Sequence, residues 1–263
     1  MTILAITNQK GGVGKTTTAI SLAAVMVERG ERVLIVDLDP QANATSGLGV
    51  SKSLPNGTYG VLLKDRPLAE ATVSTGVERL SLVPSSPEMA GAEVELVPLL
   101  AREYRLRHAL RGIDAYDMVI VDCPPSLGLL TINALAAADH VLIPVQCEYY
   151  ALEGLAQLMN TIEAVRATLN ERLDVLAIVL TMEDRRNRLS LQVTDEVRRH
   201  FPALVAGARI PRTVRLAEAP SHGLPITRYD PQSPAAHAYD ELAGEIRHRL
   251  RARTPIALGG AIA

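Results

Sequence analysis

A short apolar run, Ile3-Leu4-Ala5-Ile6, leads through Asn8 into Lys10-Gly11-Gly12-Val13-Gly14-Lys15-Thr16-Thr17, and a helical pattern begins at Thr16. This strand, glycine loop and helix constrain the fold more than any other stretch. Glycines let the backbone turn tightly and aim successive N–H groups at a polyphosphate, and the helix start adds its positive dipole end. In such a loop Lys15 reaches the β/γ-phosphates as a point charge and the Thr16 hydroxyl is a ligand for Mg²⁺. The strict P-loop pattern wants glycine where this chain has Gln9, so the simple motif is missed while its context is intact.

The rest of the chain supplies more strands of the same kind. Residues 32–37 (RVLIVD), 80–83, 118–122 (MVIVD), 141–145 and 175–180 are continuous rather than alternating apolar runs. Helical patterns cover 16–29, much of 88–111 and 234–252, with Gly30 a stop for the first. Residues 38–57 are polar and read as one long loop. Buried strands alternating with helices predict an α/β fold, a doubly wound, mostly parallel sheet with helices on both faces. One domain over residues 1–253 is expected, with 254–263 a frayed tail.

Composition narrows the function classes. No apolar run approaches the ~20 residues of a membrane-spanning helix, and the N-terminus lacks a secretory signal, so a cytoplasmic protein is expected. No Trp, one Phe and seven Tyr argue against a stacking platform for single-stranded nucleic acid. Cys123 and Cys147 form no disulfide framework and no CxxC metal spacing. The net charge of −2 hides an asymmetry: residues 1–180 carry −6 and residues 181–263 carry +4. The basic last third points to an anionic partner.

Lys10, five residues before Lys15, makes the loop resemble the deviant Walker A ATPases, and specifically the ParA/Soj family of partition proteins. The matching segments are NQKGGVGKTTT (8–18), VDLDPQANAT (36–45), VDCPPS (121–126), PVQCEYYALEGL (144–155) and IPRTVRLAEAPSHGLPI (210–226). The resemblance covers roughly residues 1–250. It implies an ATPase that binds ATP or ADP with Mg²⁺ through residues 10–17, namely Lys10, Gly11, Gly12, Val13, Gly14, Lys15, Thr16 and Thr17. Lys10 would reach across an ATP-dependent homodimer to the partner's phosphates, so that Lys10, Lys15 and Asp39 are the catalytic set.

Asp37 and Asp39 leave the second strand two residues apart, at the strand ends where open α/β sheets collect ligands. By resemblance Asp39 positions the attacking water, and Asp37 is structural or orients metal-bound water. Asp122 matches a Walker B aspartate that holds Mg²⁺ through water. Met182, Pro211 and Thr213 are implied around the adenine. Arg186 and Arg215 match arginines through which the family binds double-stranded DNA without sequence preference, which associates the protein with the nucleoid. No helix-turn-helix stands ahead of the loop, so operator reading is not expected, and a ParB-type centromere-binding protein is the implied partner that stimulates hydrolysis. Two alternatives share the loop. An iron–sulfur reading would use Cys123 and Cys147, which do not sit where that family places them. A MinD-like membrane reading would use the end of the chain, where residues 246–253 carry four arginines but few large apolar groups.

Overall fold

In the computed structural model described here, residues 1–55, 57–148, 151–184 and 186–252 are described. The continuous apolar runs do form strands, because both sheet faces are covered and every side chain has a core to enter. The strands are β1 (Thr2–Ile6), β2 (Val33–Asp37), β3 (Val73–Ser74), β4 (Leu80–Val83), β5 (Met118–Asp122), β6 (His140–Gln146), β7 (Asp174–Glu183) and β8 (Val205–Pro211). They make one sheet in the order β3-β4-β2-β5-β1-β6-β7-β8. All neighbours are parallel except β3 and β4.

The helices are α1 (Lys15–Glu28), α2 (Asn43–Gly47), α3 (Thr58–Leu63), α4 (Leu68–Ala71), α5 (Ala92–Leu96), α6 (Arg105–Ala109), α7 (Leu129–Ala137), α8 (Ala151–Thr168), α9 (Arg188–His200), α10 (Val214–Glu218), α11 (Ile226–Tyr229) and α12 (Pro234–Ala252). One core lies where α1 and α12 cover the sheet, with Leu22, Met26, Tyr239 and Leu242 packed on Leu4, Ile35 and Val179. The other lies under α5 to α9, around Leu96, Leu130, Leu155, Val119 and Ile143. The first helix ends as its sequence predicts, at Gly30 with φ 94°, a conformation that costs glycine little.

Three expectations are refined. The 38–57 segment is not all loop, because α2 interrupts it. Residues 88–111 are not one helical stretch: a 3-10 turn at Pro87–Gly91 precedes α5, and a second at Arg102–Tyr104 separates α5 from α6. Pro98 and the left-handed Ala101 (φ 51°) account for that break. The strand read at 175–180 runs on to Glu183, with Met182 inside it at φ 52°. The residues read as a tail, 254–263, lie outside the described residues, as do Tyr149, Tyr150 and Arg185.

Candidate nucleotide-binding site

Strand β1 lies between β5 and β6, so the loop that follows it opens where the chain's winding reverses. Its shape is fixed by residue type. Gly12 and Gly14 have φ of 76° and 88°, in the left-handed region that side chains rarely adopt. Neighbouring strands clamp it: Asn8 donates to the Pro144 carbonyl (2.7 Å) and Thr181 Oγ1 donates to the Val13 carbonyl (2.8 Å). Lys15 is 6% exposed and its Nζ curls back to the Lys10 carbonyl at 3.1 Å. Burial lowers its pKa, while the charges of Asp122 and Asp39 oppose that shift.

Of the three predicted carboxylates, Asp122 and Asp39 act on this lysine, and Asp37 lies beside Asp122. In register, Asp37 and Asp122 are direct neighbours at the ends of β2 and β5, and Asp122 is also opposite Ile6 of β1. Both are fully buried. Asp37 accepts from the Thr45 amide (2.9 Å), the Thr45 hydroxyl (2.7 Å) and the Asp39 amide (3.1 Å). Burial nevertheless pushes its pKa up to about 6, with the Thr45 bonds pulling it back. Asp37 thus ties α2 to the sheet, the structural half of its expected role.

Asp122 differs. Neither of its buried oxygens has a hydrogen bond of ordinary geometry. Desolvation, then the neighbouring Asp37, raises its pKa well above the carboxylate range, and the nearby Thr16 hydroxyl opposes this only in part. Asp39 is 6% exposed and uses Oδ1 to accept from the Gln41 amide at 2.9 Å. Among the described residues no three His, Cys, Asp or Glu side chains form a metal cage. Mg²⁺ does not require one, since it is bound through one or two protein groups plus phosphate and water.

The three implied adenine residues come together. Met182, Pro211 and Thr213 line a cavity of about 300 Å³ with Gly14 and Thr17 of the loop. Tyr239 of α12 closes its inner wall, its hydroxyl 3.2 Å from that of Thr18. Lys10 does not join Lys15. Its ammonium is paired with Glu148 beyond β6, and the Lys10 side chain is 37% exposed.

Of the two arginine stretches, the second reaches this cavity through Arg212. Arg186 is exposed just after β7. Arg215, on α10, is 56% exposed and pairs with Glu218 (3.0 Å) and Asp230 (3.5 Å). Arg209 faces inward to the buried Glu183 at 2.6 Å and is a structural arginine. Cys123 and Cys147 are buried, and burial raises both thiol pKa values, as befits small core side chains. The arginines near the end of α12 are engaged: Arg249 donates to the Leu176 and Ala203 carbonyls, and Arg247 pairs with Glu31.

Comparison with known proteins agrees with this geometry. An AAA domain family model matches residues 1–175. The sporulation initiation inhibitor protein Soj of Bacillus subtilis is 54% identical over 93% of this chain and 97% of its own. The chromosome partitioning protein ParA of Caulobacter vibrioides is 51% identical over 95% of this chain and 96% of its own. The chain belongs to the ParA/Soj family of partitioning ATPases.

Solved structures carry the ParA/Soj fold of this chain. Cobyrinic acid a,c-diamide synthase from Mycobacterium smegmatis, with bound ATP analogue and magnesium, aligns with a TM-score of 0.85 at 38% identity, over 97% of this chain and 98% of that one. The Pyrococcus furiosus cell division ATPase MinD aligns with a TM-score of 0.75 at 25% identity, over 94% and 98%. Among the described residues no helix is long and apolar enough to cross a membrane.

The sequence reading missed several residues of this ParA/Soj site. Thr45 bonds Asp37, Thr181 clamps the loop, Glu148 holds Lys10, and Tyr239 backs the cavity lined by Met182, Pro211 and Thr213. Thr45 lies inside the VDLDPQANAT match and Glu148 inside PVQCEYYALEGL, so their positions were marked though their jobs were not.

Proposed function

We propose that this chain is an ATP-driven DNA-segregation ATPase. Its ATP-bound form is a sandwich dimer that holds duplex DNA without sequence preference, and hydrolysis, stimulated by a ParB-type partner, releases the DNA. One observation carries the reading: the two loop lysines have different tasks. Lys15 is buried inside its own loop, whereas Lys10 turns outward to Glu148. An outward cation beside a phosphate site is suited to a nucleotide on another subunit, which makes assembly depend on bound ATP. Lys10→Ala is expected to bind nucleotide within about threefold of wild type yet remain monomeric with an ATP analogue. Sedimentation showing dimers at wild-type affinity would remove that role.

In this reading residues 11–17 bind the phosphates with backbone amides, and Lys15 neutralises the β/γ charge. The orphaned buried oxygens of Asp122 and the Thr16 hydroxyl beside them fit a cation. Bound there, Mg²⁺ would neutralise the developing phosphate charge. Asp39 orients the attacking water in line, Asp37 keeps the Asp39 loop in place, and Met182, Pro211 and Thr213 hold the base. Relatives above 50% identity are partition proteins, so the diamide synthase activity of a 38% identical neighbour is not carried over. The MinD-like reading is the weaker one, since Arg247 and Arg249 near the end of α12 are bound to the protein itself.

Arg186 and Arg215 would contact DNA phosphates. A dimer offering about four such contacts should lose affinity roughly 10²-fold between 50 and 200 mM salt. The test is binding to random-sequence duplex DNA with a slowly hydrolysed ATP analogue, with ADP and without nucleotide. Tight, salt-sensitive binding confined to the ATP analogue is expected. Equal binding in all three states would refute the switch.

A further inference from the structure

Val94, Val97 and Leu100 are 76%, 53% and 92% exposed. Apart from Val214, they are the only Val, Leu or Ile residues more than half exposed among the described residues. Their spacing of three keeps Val94 and Val97 on one side of the helical turn. The intervening Leu96 is buried and Leu99 packs on the core, so the segment is anchored inward while presenting apolar groups outward. Scattered exposed aliphatics need no explanation, but a cluster marks an interaction surface.

Charge tells which partner fits. Residues 87–101 contain Glu88, Glu93 and Glu95 and no Lys or Arg. Glu88 and Glu95 are exposed, and Tyr59 donates to Glu95 at 2.7 Å. The adjacent Arg102 is turned back, donating to the Val97 carbonyl and pairing with Glu103. Lys64 lies over the Tyr59 ring.

The face is also continuous with the nucleotide site. Glu93 has a buried Oε1 without a hydrogen-bond partner, placed so that a Cβ on Gly128 would overlap its carboxylate. Gly128 ends the loop that leaves Asp122 and begins α7. Glu93 of α5 therefore abuts the segment that follows the Asp122 carboxylate.

We propose that Val94, Val97 and Leu100, flanked by Glu88 and Glu95, form the docking face for a basic amphipathic helix of the hydrolysis-stimulating partner. The identity of the partner rests on the partition reading, whereas the face itself does not. The chemistry is that of a helix laid against apolar anchors, with the carboxylates selecting Lys and Arg on its polar side.

The probe is a fluorescent amphipathic Leu/Lys peptide of about 18 residues, titrated into the full chain by anisotropy, beside a peptide of the same composition with its apolar face scrambled. Wild type should bind the amphipathic peptide at least tenfold tighter than the scrambled one. The variant Val94→Ser, Val97→Ser, Leu100→Ser should lose at least tenfold, with an unchanged melting temperature because these side chains are exposed. Glu88→Gln with Glu95→Gln should lose about threefold and flatten the salt dependence. Equal binding by the triple serine variant, equal binding of the scrambled peptide, or no binding by wild type would overturn the proposal. Self-association or anionic-vesicle binding abolished by the serine variant would also overturn it, assigning the face to a second copy or to a membrane. Peptide binding as expected without ATP-dependent DNA binding would sink the partition reading alone; the converse would sink the docking face alone.

Discussion

Lys15→Ala is expected to abolish ATP binding while leaving a folded protein. Lys15 is the cation inside the phosphate loop, surrounded by Asp122 and Asp39. Its removal deletes charge-assisted hydrogen bonds, each worth about 1.5–3 kcal/mol, and leaves the carboxylates to repel the triphosphate. A loss of at least about 10²-fold in affinity follows from two such bonds. The fold should persist, because the loop is shaped by Gly12 and Gly14 and clamped by Thr181 and Asn8 rather than by the lysine. Titration calorimetry with ATP and Mg²⁺, alongside circular dichroism, reads both quantities. Binding within threefold of wild type would reject the role given to Lys15.

Asp39→Ala should separate binding from turnover. The phosphate-binding atoms are untouched, so ATP affinity is expected to stay near that of wild type. Hydrolysis should fall by about 10²-fold or more, since a positioned group acting on the nucleophile contributes on that order. The ATP-state dimer should then persist on DNA. A purely structural Asp39 would behave otherwise. Loss of its bond to the Gln41 amide would cost about 1 kcal/mol of stability, as for a lost cap, and turnover would be near normal. Single-turnover hydrolysis combined with thermal melting distinguishes the two, and normal turnover would discard the water-positioning assignment.

Much of this site was legible because its chemistry is local in sequence. The phosphate loop announces itself through glycines whose left-handed φ values the fold requires, and Asp37 and Asp122 end apolar runs that could only be buried strands. Partners distant in sequence were not legible. Glu148 is 138 residues from Lys10, and nothing in either neighbourhood states that the two meet. Tyr239 reaches Thr18 across 221 residues, which only the packing of α12 on α1 could reveal. Residues 88–111 look helical by composition, yet Pro98 and the left-handed Ala101 break them into short turns. Met182 was implied at the adenine by resemblance, but its positive φ, where β7 bends beside the cavity it lines with Pro211 and Thr213, was not legible; such strain is of the kind found at binding sites.

The wall of that cavity has a consequence for how the protein is made. Tyr239 lies near the end of the described chain, yet it backs a helix that begins at residue 15. A nascent chain on the ribosome presents its glycine loop long before Tyr239, which comes 221 residues after Thr18. Contacts of such long separation form late in folding, and a ligand stabilises only the state that can bind it. If the cavity holds the base as proposed, ATP cannot rescue a chain that still lacks Tyr239. The first strands must hold on through their own sheet pairing until α12 packs on α1, and nucleotide would then act as a seal on the folded sheet.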